Sequence, residues 1–157
     1  MSSHKRLKIN IHTIDIEVSE SVVLTMKSYR QFSGNELGGI LLGSVINNNK
    51  IRINKISPPF MVDSSTCSVI RDAEKSNAFI KQEFEESNHT RIYVGEWHTH
   101  PENIPTSSIA DRVSIEQIYR DSHIVLNIVL MAIIGREEIY WGYYNGKKFI
   151  TFNPIVV

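Results

Sequence analysis

The stretch GEWHTHPENIPTSSIAD, residues 95–111, decides how the rest of the chain is read. RIYVGEW from Arg91 alternates as a strand does, so His98 and His100 sit two apart at its end and project from one face, where they could share a metal ion. Pro101 removes a backbone donor and fixes φ, which ends the strand and turns the chain outward. Ser108 to Arg120 then reads as a helix whose first turn carries Asp111. A carboxylate there can complete a His, His, Asp triad with a fourth position left open, as a catalytic metal requires. Each part alone has a plainer explanation. Two rings at a strand end often merely face solvent, and Ser108 with Asp111 is an ordinary capping box. Both roles are compatible, because a serine beside a metal can also donate its hydroxyl to a developing oxyanion.

A water activated at such a site needs a proton acceptor, and two glutamates offer one. Glu36 lies in GNELGGILLG, where an acid entering an apolar, Gly-rich strand is hard to explain as filler. Glu96 alternates with His98 and His100 and falls on their face, where it could orient an imidazole. Spacing alone leaves both open.

Working outward, Leu7, Ile9, Ile11 and then Ile14, Ile16, Val18 read as two strand segments or one bulged strand. Val22, Val23, Met26 and Tyr29 place an amphipathic helix over 19–30, with N-cap oxygens from Ser19 and Ser21. The run to Ile46, the turn at Asn47 to Asn49 and KIRINKI make a hairpin. Ser57 to Ser68, with two prolines, reads as a long loop, and Asp72 to Ser87 as a second helix. Ile124 to Ile134, Glu138 to Tyr144 and Phe149 to Phe152 read as strands joined at Gly135 and Asn145-Gly146. Interleaved strands and helices imply an α+β fold, a mixed sheet covered by helices.

Composition removes several classes of function. The 157 residues carry 17 Lys plus Arg against 17 Asp plus Glu, a formal net charge of zero, which excludes the footprint of a nucleic-acid binder or polybasic membrane-surface protein. Ile124 to Ile134 is too short to cross a bilayer as a helix, and the N-terminus lacks the apolar core of a signal peptide. A single cysteine, Cys67, forbids an intramolecular disulfide, so a reducing, cytoplasmic setting is expected. Cys67 lacks a histidine pattern that would make it a nucleophile. His123 reads as a complement to a helix C-terminus, Trp97 as core, His4, His12 and His89 as without a role, and Tyr140 to Tyr144 as sheet padding.

Taken together, Glu36 in ELGGILLG, His98-Thr99-His100-Pro101, six residues, then Ser108-x-x-Asp111 resembles the complete signature of the JAMM (MPN+, JAB-domain) metalloproteases. The short EWHTHP form is most similar to the small bacterial isopeptidases of CBASS anti-phage operons. The resemblance implies one JAB/MPN+ domain over residues 1–157, with the cytidine-deaminase-like arrangement of a curved mixed sheet flanked by helices. It implies Zn2+ held by His98, His100, Asp111 and a water, Glu36 as general base and Ser108 as oxyanion stabiliser. The implied substrate is a ubiquitin-like protein or a conjugate carrying an extended C-terminal tail. A noncatalytic interaction module is the alternative from another class, and hydrolysis of a sulfur-carrier tail or small amide the alternative within enzymes.

Overall fold

The computed structural model describes residues 6–64 and 69–157, with the backbone alone over 61–64 and 69–71. His4 and Cys67 lie outside the described residues. Ten strands and three helices occur among those residues: β1 (Asp15–Val18), α1 (Glu20–Ser28), β2 (Gly38–Asn47), β3 (Lys50–Ile56), β4 (Met61–Ser64), β5 (Val69–Arg71), α2 (Ala73–Glu86), β6 (Ile92–Thr99), α3 (Ile109–Asp121), β7 (Val129–Ile134), β8 (Ile139–Tyr144), β9 (Phe149–Thr151) and β10 (Ile155–Val156). Eight strands form one curved mixed sheet in the order β10-β1-β3-β2-β6-β7-β8-β9, as the interleaved pattern implies. β6 and β7 run parallel and α3 crosses between them. β2 runs antiparallel to β6 with Gly38 opposite His98, so the start of β2 meets the end of β6.

The sheet is apolar on both faces. Ile16, Val18, Leu41, Ile53, Trp97, Leu130 and Ala132 pack with Val22 and Met26 of α1. Val129, Met131 and Ile133 point the other way, against Ile115 of α3. β7 therefore reads as a continuous apolar run because both its sides are covered. Trp97 is 1% exposed and stacks on Tyr29 with centroids 5.1 Å apart, so it is core. Gly39 is required opposite it, since a Cβ there would clash with Ser57 Oγ and lie 2.6 Å from Trp97 Nε1.

The structure corrects three readings. Residues 7–14 make a single ladder contact, Leu7 with Leu126, instead of a strand, and Ile124 to Asn127 stay outside β7. One side chain accounts for both: Asn127 accepts from the Ile9 N–H at 2.9 Å and donates to its carbonyl at 3.2 Å, doing for Ile9 what a neighbouring strand would. Ser57 to Ser68 is not all loop, because β4 pairs antiparallel with β5; residues 65–68 lie outside the described residues. Ser19 does occupy the N-cap of α1, but its side chain makes no capping bond; the Glu20 N–H is taken by the Val157 carbonyl at 2.9 Å. That carbonyl belongs to the C-terminal segment, whose strand β10 had no alternation to announce it. No helix of the described residues is long and apolar enough to cross a membrane.

Candidate metal centre

A fault in the strand makes the face of the site. Leu41 pairs with Gly95 but Leu42 pairs with Tyr93, so β6 carries one extra residue at Val94. The bulge shifts the alternation, and Tyr93, Glu96 and His98 come to one side while Val94, Trp97 and Thr99 are buried on the other. Tyr93 Oη donates to Glu96 Oε2 at 2.7 Å.

His98 and His100 lie at the carboxyl end of β6, and Asp111 lies in the first turn of α3, where a crossover from one parallel strand to the next opens a crevice. Their donor atoms converge. His98 Nε2 is 3.2 Å from His100 Nε2 and 3.1 Å from Asp111 Oδ1, and His100 Nε2 is 3.5 Å from Asp111 Oδ2. Among the described residues these three form the cluster able to hold a metal, with ligand atoms all within 4.8 Å of one another. The donor set fits zinc: bonds of about 2.1 Å in tetrahedral array put neighbouring ligand atoms roughly 3.4 Å apart, and the three separations bracket that value. Two imidazoles and a carboxylate are also the ligand types of a catalytic site that keeps one position open.

Asp111 is held from two sides. Ser108 Oγ accepts the Asp111 N–H at 3.1 Å while Asp111 Oδ2 accepts the Ser108 N–H at 2.8 Å, a reciprocal capping box. Burial by itself would raise the Asp111 pKa, but the hydrogen bond and charge of His98, together with Ser108, bring it down to about 2. The carboxylate is thus ionised and aimed before any cation arrives.

Glu36 enters from the segment just before β2, opposite the end of β6, and is 7% exposed. Burial raises its pKa above the ordinary carboxylate value; His100 opposes that shift, while Asp111 and Glu102 add to it. The charges that act on Glu36 are therefore those of His100, Asp111 and Glu102, which puts it beside the histidine and aspartate cluster. Glu102 is a site neighbour that the sequence did not single out. Its Oε1 lies 3.2 Å from His100 Nδ1, at hydrogen-bond distance though without hydrogen-bond direction, the place from which a carboxylate orients a ligating imidazole. The fold thus brings His98, His100, Asp111, Ser108 and Glu36 together and puts Glu96 one step down the same strand face.

Residues 23–143 match the family model of prokaryotic homologs of the JAB domain, so the chain belongs to that family. It is 31% identical over 137 residues to a Vibrio cholerae protein named CD-NTase/cGAS isopeptidase, covering 85% of each chain. An Escherichia coli protein of the same name is 30% identical over 130 residues, covering 81% of this chain and 80% of that one. The solution structure of a Desulfitobacterium hafniense protein superposes with a TM-score of 0.66 over 90% of this chain and 92% of that chain; at 16% identity this likeness is one of fold.

Proposed function

We propose that this chain is a zinc-dependent isopeptidase of bacterial anti-phage defence, releasing a protein joined through its C-terminal tail to a lysine or trimming an extension from such a tail. The observation that carries the reading is the convergence of His98, His100 and Asp111, with Glu36 buried beside them and Ser108 capping the ligand helix. The relatives' name, CD-NTase/cGAS isopeptidase, supports an isopeptide as the bond and a CD-NTase as the conjugated protein; a ubiquitin-like protein as the owner of the tail is our reading of the site.

His98 Nε2, His100 Nε2 and one Asp111 oxygen would hold the metal, and a zinc ion there would supply a water of pKa near 7 and a Lewis acid for the scissile carbonyl. Glu36 would take a proton from the attacking water and return it to the departing lysine amine, one carboxylate serving both transfers. Ser108, whose oxygen accepts the Asp111 N–H, would turn its hydroxyl proton to the developing oxyanion. The β4–β5 hairpin springs from the same place: the Phe60 N–H bonds the Gly38 carbonyl at 2.9 Å, and Gly38 faces His98 across the ladder. An extended tail adds to a strand edge there through backbone hydrogen bonds, with little demand on its side chains.

The test is mass spectrometry of lysine-linked conjugates and C-terminally extended precursors incubated with the zinc-loaded protein. One cut at the end of the tail is expected. Cleavage of unrelated unfolded proteins at many positions would overturn the proposal.

The two uses of Ser108 separate in one variant. Ser108→Ala should lower stability by about 0.5–2 kcal/mol through loss of the cap. If the hydroxyl also faces the oxyanion, turnover should fall roughly 100- to 1,000-fold with zinc content unchanged. We expect both, and measuring turnover, Tm and zinc on one preparation decides it; a lowered Tm with full turnover would leave Ser108 as a cap alone.

A further inference from the structure

A chain of side-chain hydrogen bonds fastens the segment carrying Glu36 to the strand carrying the histidines, and Gln31, its far link, lies outside the family signature. The Thr99 N–H donates to the Leu37 carbonyl at 2.9 Å, and the Leu37 N–H donates to Thr99 Oγ1 at 2.9 Å. Thr99 therefore extends the β2–β6 ladder one step beyond Gly38 with its own hydroxyl, between the two histidines and beside Glu36. Having accepted the Leu37 proton, that hydroxyl gives its own to Gln31 Oε1 at 3.1 Å. The Gln31 amide then donates from Nε2 to the Gly34 carbonyl at 2.8 Å. The amide orientation is forced, since the reverse would set two carbonyl oxygens face to face at Gly34. Gln31 is 5% exposed, and a long polar side chain is buried at that depth only when its partners are arranged for it.

Arg136, in the turn between β7 and β8, grips the same segment from outside. Its Nε donates to the Gln31 carbonyl and its guanidinium to the Phe32 carbonyl, each at 3.2 Å. Its backbone N–H bonds the Glu102 carbonyl at 2.7 Å, so one residue ties the Glu36 segment to the loop after His100.

We infer that Gln31 is a positioning residue for Glu36, orienting the Thr99 hydroxyl so that the Glu36 segment keeps a fixed place against His98 and His100, with Arg136 holding the segment's outer edge. This rests on the reading of Glu36 as the base. A carboxylate moved by about 1 Å loses its reach to the reacting proton, a displacement that costs on the order of 100-fold in rate without touching binding.

Gln31→Met keeps the length of the side chain and removes both bonds. Its kcat should fall roughly 10- to 100-fold with KM and zinc content near wild type. In the metal-free protein the Leu37 amide should exchange its hydrogen roughly tenfold faster or more, with amides in the middle of β2 unchanged. Introduced into Glu36→Gln, the change should cost nothing further, because a residue that acts through Glu36 has nothing left to position. Wild-type kcat in Gln31→Met overturns the inference, as does an equal loss in both backgrounds. Full turnover in Glu36→Gln alone overturns the base assignment itself, and the positioning role with it, and is recognised before Gln31 is altered. Should Gln31→Met fail to fold, Arg136→Met on the partly exposed rim carries the test, with a loss of roughly three- to tenfold that Arg136→Lys restores in part through one remaining contact; wild-type kcat in Arg136→Met overturns the inference just as directly.

Discussion

Glu36→Gln should keep its zinc and its substrate affinity while turnover falls roughly 100- to 10,000-fold, the range associated with loss of a positioned acid or base. The amide matches the carboxylate in shape, so packing around a residue 7% exposed is preserved. What is lost is the ability to accept a proton. Measuring kcat, KM and bound zinc on the same preparation checks this; unimpaired kcat would move the proton acceptor to Glu96. The same variant carries a second signature. Burial holds the Glu36 carboxyl above its ordinary pKa, so in the metal-free protein the folded state favours the protonated acid. That contribution is fully present below the ordinary carboxylate range and is lost as pH rises through the elevated value. Metal-free Glu36→Gln should therefore melt above wild type at neutral pH, and the gap should close on acidification. Catalysis asks for a charge that folding would rather exclude, which is how an active-site acid differs from a structural one.

How far the sequence could be read depended on whether a feature was local. His98, His100 and Asp111 stand within one strand–turn–helix, so two periodicities and a proline were enough to bring them to one point. Glu36 was a harder case, because its neighbourhood is made by the pairing of β2 with β6, and no spacing along the chain encodes which strands pair. It was singled out as an acid among apolar residues, and the signature supplied the connection. Asn127 misled in the opposite direction: its side chain replaces a strand's backbone at Ile9, a contact between residues 118 apart, so residues 7–14 lose the strand their alternation implied and the apolar run from Ile124 becomes a strand only at Val129. Gln31, Glu102 and Arg136 left no trace of the same kind. Polar residues in turns are ordinary, and only the assembled fold shows that these three hold the edges of the site.

Removal of zinc should abolish activity completely and leave the fold standing. Zinc fingers unfold without metal because little else holds them, whereas here the core is an eight-stranded sheet packed on both faces by apolar residues that need no metal. The site itself is already organised: Asp111 is ionised, fixed by Ser108 and paired with His98 at 3.1 Å without a metal. Chelated protein should thus show one cooperative melt and an unchanged far-ultraviolet spectrum, and should regain activity on titration with zinc. Chelation that unfolds the chain would make the metal structural instead. The ligand variants sharpen the point, because on the proposed zinc reading each of the three side chains would supply one bond, with no fourth protein ligand in the cluster among the described residues. His98→Ala, His100→Ala and Asp111→Ala should each lose zinc at stoichiometric concentration and with it turnover, and full occupancy in any of them would remove that residue from the ligand set. They should differ in stability. His98→Ala leaves the capping box intact and loses the pairing of His98 with Asp111. Asp111→Ala also breaks the capping box, and should melt lower by the equivalent of about 0.5–2 kcal/mol. The sign with pH follows from the low pKa of Asp111: its contribution is present above its ordinary value and is lost as pH falls toward about 2. In acid, the stability gap between wild type and Asp111→Ala should therefore narrow, whereas that of Glu36→Gln closes from the other side, with the variant the more stable partner at neutral pH.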